Sequence, residues 1–143
     1  MYEQLITYKT AVLARAKGFD IPVSEFFLIE KEELYTDGDI IELANHNEFP
    51  DVISAPTQSV LQQWLRERNI FLTIRVDSTF EPKFCYSLKW LKEYSDGTLD
   101  WLSTNHQNYT FNGKGGFTYS DLYYKYEEAL EDGLYEALHI IPN

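Results

Sequence analysis

Apolar positions recur at two different periods along the chain, and the changes of period mark out the predicted elements. Over residues 2–17, Leu5, Val12, Leu13 and Ala16 fall at helical spacing, with Ile6 and Tyr8 flanking them, which predicts a first helix. Lys17 suits the negative end of the helix dipole, Gly18 can take the left-handed conformation after it, and Pro22 forbids continuation. Residues 25–29 (Glu-Phe-Phe-Leu-Ile) read as a strand, and 33–36 as a short partner across the polar turn Glu30-Lys31-Glu32. Asp37-Gly38-Asp39 is turn chemistry. From 40 to 52 the pattern weakens into a long loop, with room for a helical turn over 40–44.

Ser54-Ala55-Pro56-Thr57 opens the second helix, since proline costs no hydrogen bond in a first turn and Ser or Thr can accept from orphan amides. Val60, Leu61, Trp64 and Leu65 form its apolar stripe, Arg66 and Arg68 complement its C-terminus, and Asn69 can end it. The period then drops to two. Over 70–77, Ile70, Leu72, Ile74 and Val76 oppose Phe71, Thr73, Arg75 and Asp77. Over 83–94, Phe84, Tyr86, Leu88 and Trp90 oppose Cys85, Ser87, Lys89 and Leu91. Asp96-Gly97 is a strong hairpin turn leading into 98–103. These strands predict an antiparallel meander with one buried face.

Residues 104–116 are polar and glycine-rich, a surface loop, and 117–124 read as a return strand that Ser120-Asp121 can interrupt. The best-patterned segment is the helix over 126–140, with Ala129, Leu130, Gly133, Leu134, Ala137, Leu138 and Ile141 on one face. Ala129, Gly133 and Ala137 recur every four residues, and close packing would compensate the roughly 1 kcal/mol that Gly133 loses relative to alanine. The predicted fold is α+β: a hairpin plus a three- to four-stranded antiparallel meander, covered by helices and ending in a C-terminal helix. Residues 1–143 are read as a single domain.

With 44% hydrophobic residues the chain can bury a core and is no disordered acidic tail. Its apolar runs are too short for a membrane span, and the charges Glu3, Lys9, Arg15 and Lys17 exclude a signal peptide over the first twenty residues. A single cysteine, Cys85, excludes an internal disulfide, so a reducing cytoplasm is the expected compartment. The formal charge of −11 is concentrated. Residues 25–51 hold nine acids and only Lys31, residues 121–136 hold six and only Lys125, and the rest carries ten basic against eight acidic groups. General binding to nucleic-acid phosphates is therefore disfavoured, while a local basic face stays open.

Three segments carry a resemblance. Residues 53–67 (Ile-Ser-Ala-Pro-Thr-Gln-Ser-Val-Leu-Gln-Gln-Trp-Leu-Arg-Glu) resemble the central signature of an uncharacterised family of small proteins from phages and prophage-like elements of gut bacteria. Residues 126–138 resemble that family's C-terminal helix, and 14–22 its beginning. The stretch 93–116 is longer than the family's pattern. The resemblance implies a mobile-element product acting inside a bacterial host cell, and it carries over no catalytic residue.

Candidate chemistry is sparse. His46, His106 and His139 are scattered and lack ligand spacing, so no metal or cofactor is expected. Asp37-Gly38-Asp39 lacks the register of a calcium loop. There is no Gly-x-Ser-x-Gly elbow, and Cys85 beside a core-facing row reads as packing. Asn112-Gly113-Lys114-Gly115-Gly116 lacks the residue order of a phosphate loop and reads as a flexible connection. Pro50-Asp51 with Glu81-Pro82-Lys83 mimics the Pro-Asp…Glu-x-Lys set of metal-dependent nucleases, yet Pro82 favours a turn over the core strand such sites use.

Two binding surfaces remain. Arg66, Arg68, Arg75 and Lys89, with Phe71 on the outer sheet face, could hold phosphate and stack bases; the plainer reading is a solvated face. On the last helix, Glu127, Glu128, Glu131, Asp132 and Glu136 form like-charge pairs four apart, each costing roughly 0.2–0.5 kcal/mol. That stripe suits a basic partner, and Tyr123 in the run Tyr119, Tyr123, Tyr124, Tyr126 adds an interface-prone aromatic. The favoured expectation is a non-catalytic accessory protein that binds another protein through this acidic surface. The alternatives are a small nucleic-acid-binding module and, more weakly, a nuclease.

Overall fold

The computed structural model describes residues 3–35, 43–76, 83–104 and 122–143. Contacts divide the chain into two compact units, Met1–Trp64 with Leu134–Asn143, and Leu65–Gly133. The architecture is α+β, and the described residues form two three-stranded antiparallel sheets and three α-helices, the last of them C-terminal.

In the first unit, α1 spans Tyr8–Ala16, half the length the periodicity predicts. The residues before it are extended because their backbone hydrogen bonds go elsewhere. Ile6 N–H donates to Pro56 O at 3.1 Å, Gln58 N–H to Gln4 O at 2.8 Å, and Leu5 bridges Thr57. Thr7 then caps the helix through its side chain, which accepts from Thr10 N–H. The buried face differs too: Thr10, Ala11 and Ala14 are buried, whereas Val12 and Ala16 are exposed. Gly18 ends the helix at φ +93°, a left-handed conformation that costs glycine nothing.

Strand β1 (Phe26–Leu28) pairs antiparallel with β2 (Glu33–Leu34), Phe27 opposite Leu34, as the hairpin pattern predicts. It pairs on its other side with β3 (Val52–Ser54), which lies in the stretch read as loop and helix start. A strand of three residues is too short to show a period. The preceding segment is ordered by Asn47, in a short 3-10 turn over His46–Glu48. Its side-chain amide donates to Phe19 O at 2.9 Å and its carbonyl accepts from Ser54 N–H at 2.9 Å. The predicted turn at 37–39 and helical turn at 40–44 fall almost entirely outside the described residues.

Helix α2 (Gln58–Arg66) starts four residues later than expected, because 52–54 are committed to the sheet and Thr57, not Ser54, accepts from Val60 N–H. Leu61, Trp64 and Leu65 are buried as the stripe predicts, Trp64 edge-on to Phe19 at 5.4 Å. Asn69 takes φ +60° just after the helix.

The second unit holds the meander. Strands β4 (Ile70–Val76), β5 (Phe84–Glu93) and β6 (Leu99–Thr104) lie in that order. The register places Ile70 opposite Trp90, Leu72 opposite Leu88 and Ile74 opposite Tyr86, so the predicted apolar rows share one face. Ile70, Leu72 and Leu88 are buried there. Gly97 turns β5 into β6 at φ +86°.

Helix α3 (Tyr126–Leu138) buries Ala129, Leu130, Leu134, Ala137 and Leu138. A methyl group placed on Gly133 would come 2.6 Å from Leu72 Cδ1 and 3.1 Å from Tyr86 Cγ, which is the close approach the small-residue stripe predicts. Of the predicted return strand, residues up to 121 lie outside the description, and Tyr123 bridges Phe84 antiparallel.

Candidate binding surfaces

Around the start of α3, the side chains of Glu127, Glu128, Asp132 and Glu136 are exposed and Glu131 is half-buried. Tyr123 is drawn into the sheet: its N–H donates to Phe84 O at 2.8 Å, its carbonyl accepts from Phe84 N–H at 2.7 Å, and its ring lies 6.3 Å from that of Tyr86. The neighbours are the accessible aromatics. Tyr124 is 68% exposed with Lys83 Nζ 5.2 Å from its ring centre, and Tyr126 is 44% exposed and edge-on to Phe84. The surface thus combines carboxylates with phenol rings whose hydroxyl ends reach water.

On the second unit's sheet, the face opposite the core carries Phe71, Thr73 and Arg75 from β4, paired with Lys89, Ser87 and Cys85 from β5. Leu91 pairs with Trp101, so β6 adds Trp101 to the same face, a residue the sequence pattern did not single out. Phe71 and Trp101 approach to 5.9 Å between ring centres, and Lys89 Nζ lies 5.3 Å from the Trp101 ring centre. Phe71, Arg75, Lys89 and Trp101 are all exposed, whereas Cys85 is wholly buried with Sγ 3.8 Å from Arg75 O. Arg66 and Arg68 are exposed at and just beyond the end of α2.

In the first unit a depression of about 410 Å³ is lined by Leu28, Ile29, Glu30, Lys31, Pro50 and Asp51. Asp51 is exposed there, and its carbonyl accepts from Ile29 N–H at 3.1 Å. Glu81 and Pro82 of the nuclease-like set, His106 and the 112–116 glycine loop lie outside the described residues. Among the described residues no three His, Cys, Asp or Glu side chains gather as a metal site would require, and no helix is long and apolar enough to cross a membrane. His46 is used locally, its ring tilted against Phe26 at 4.6 Å between centres with Nε2 3.0 Å from Val23 O. His139 Nδ1 lies 3.0 Å from Tyr135 O.

No family model, curated protein or solved structure matches the chain.

Proposed function

We propose that the chain is a non-catalytic accessory protein of a phage or mobile element, acting in the cytoplasm of a bacterial host by binding another protein. The observation that carries this reading is the surface at the start of α3, where Glu127, Glu128 and Asp132 are exposed beside Tyr124 and Tyr126. Exposed tyrosines supply apolar area with a polar tip at little entropic cost, and the carboxylates favour a basic partner. The resemblance of 53–67 and 126–138 to small phage and prophage proteins supplies the setting.

The test is capture of host proteins on the immobilised full chain at low and at high salt, repeated with Glu127→Lys, Glu128→Lys and Asp132→Lys combined. A partner that salt releases and the charge reversal abolishes is the expected result. Capture that neither salt nor charge reversal alters would overturn the reading.

A further inference from the structure

The outer face of the β4–β5–β6 sheet is not used by that reading, and its chemistry is different from that of α3. By register, β4 contributes Phe71, Thr73 and Arg75, β5 contributes Ser87, Lys89 and Leu91 together with the wholly buried Cys85 opposite Arg75, and β6 contributes Trp101 and Ser103. Phe71 and Trp101 remain 37% and 47% exposed although their rings lie 5.9 Å apart, so neither ring is fully covered by the other. Lys89 Nζ lies over the Trp101 ring, 5.3 Å from its centre, which places a cation at the aromatic pair. Arg75 lies four residues along β4 from Phe71, about 13 Å at a strand's rise per residue. Hydroxyls of Thr73, Ser87 and Ser103 fill the positions around them.

The charge of this region also departs from that of the chain. Residues 65–104 carry six basic and six acidic side chains, so the whole excess of −11 lies outside them. Within the register of this face the carboxylate is Glu93, opposite Leu99 at the far end of the β5–β6 ladder. Aromatic rings, nearby cations and hydroxyls are the three groups that hold an unpaired nucleotide strand: the rings stack bases, the cations meet phosphates, and hydroxyls hydrogen-bond to either. We infer that this face binds single-stranded nucleic acid, with bases stacked on Phe71 and Trp101 and phosphates met by Lys89 and Arg75. A duplex does not fit the same chemistry, because its bases are already stacked on one another and offer no open ring face.

The experiment is fluorescence anisotropy of labelled oligo-thymidylate and oligo-uridylate titrated with the full chain, with a duplex as comparison. Binding of either single strand at low salt is expected, the two arms separating DNA from RNA. Trp101→Ala and Phe71→Ala should each weaken it about tenfold, within the range that loss of one stacked base produces. Trp101→Phe should retain most of the affinity. Lys89→Gln should flatten the dependence of log affinity on log salt by about 0.7, one phosphate contact on a single strand. Thr73→Lys, which adds a cation to the same face, should tighten binding, a gain that misfolding cannot mimic. The triple charge reversal on α3 should leave the loss caused by Trp101→Ala unchanged, which separates this site from the protein-binding one. Absence of binding at low salt would overturn the inference, as would affinity indifferent to Phe71 and Trp101, or a duplex bound as tightly as a single strand.

Discussion

The Asp96 carboxylate accepts two hydrogen bonds from Thr98, from its hydroxyl at 2.6 Å and from its backbone N–H at 3.0 Å. Both favour the charged form, and they hold the Asp96 pKa below the usual carboxylate value, the side-chain bond contributing most. A depressed acid stabilises the fold fully above its ordinary pKa, and that stability is lost as pH falls through the lowered one. Thr98→Val should therefore move the Asp96 titration upward in an NMR pH series; an unmoved titration would assign the shift to another cause. Ser54 poses the opposite case, since its hydroxyl is buried with no hydrogen-bond partner among the described residues while its N–H is satisfied by Asn47. Ser54→Ala should leave stability unchanged or raise it by up to about 1 kcal/mol, because it removes an unsatisfied polar group. Asn47→Ala should lower stability by roughly 2 kcal/mol, leaving the Phe19 carbonyl and Ser54 amide unpaired. Denaturant melts of the two variants check both signs. Neither role was legible beforehand, because Asn47 acts on residues 28 and 7 positions away in the chain.

Among the elements, the β4–β5 pairing and the C-terminal helix follow from their own periodicity, whereas the length and buried face of α1 and the existence of β3 do not. The alternation in β4 and β5 by itself puts Phe71 and Lys89 on one face, since a period of two admits one arrangement per face. The same alternation could not bring Trp101 to them, because only the Leu91–Trp101 register says which side of β6 continues that face. Residues 4–6 carry a helix-like pattern but are held extended by 56–58, and β3 is too short to announce itself. The acidic stripe of α3 was legible because helical spacing and exposure agree there, whereas the choice among its tyrosines was not: Tyr123, singled out in sequence, is tied to Phe84, and its neighbours are the exposed ones. Gly133 tests how far packing outweighs propensity. Alanine is the better helix former by about 1 kcal/mol. Its methyl group would nevertheless meet Leu72 at 2.6 Å and Tyr86 at 3.1 Å, and overpacking of that kind costs about 1–3 kcal/mol. Gly133→Ala should thus lower the melting temperature, and pairing it with Leu72→Ala should reduce that specific penalty. A higher melting temperature for the single variant would mean that the Leu72 side chain simply rotates aside.

For the molecule as a whole, the distribution of charge sets how stability responds to salt. The first unit holds four basic and twelve acidic residues, a local charge of −8, and the second holds eight and eleven, a local charge of −3. Like charges gathered in a compact state repel more than in the expanded chain, and added salt screens that repulsion over about 10 Å at 0.1 M. The melting temperature should accordingly rise from low salt to physiological ionic strength. A gain of about 1 kcal/mol would appear as roughly 3–5 °C for a chain of this size. The exposed Glu30 and Glu33 sit in and just after the β1–β2 turn of the more acidic unit, so Glu30→Lys with Glu33→Lys should raise the low-salt melting temperature and shrink its salt dependence. The comparison identifies the cause: a variant with unaltered salt dependence would place the repulsion elsewhere, and a melting temperature that falls with salt would mean that attractive pairs outweigh repulsion.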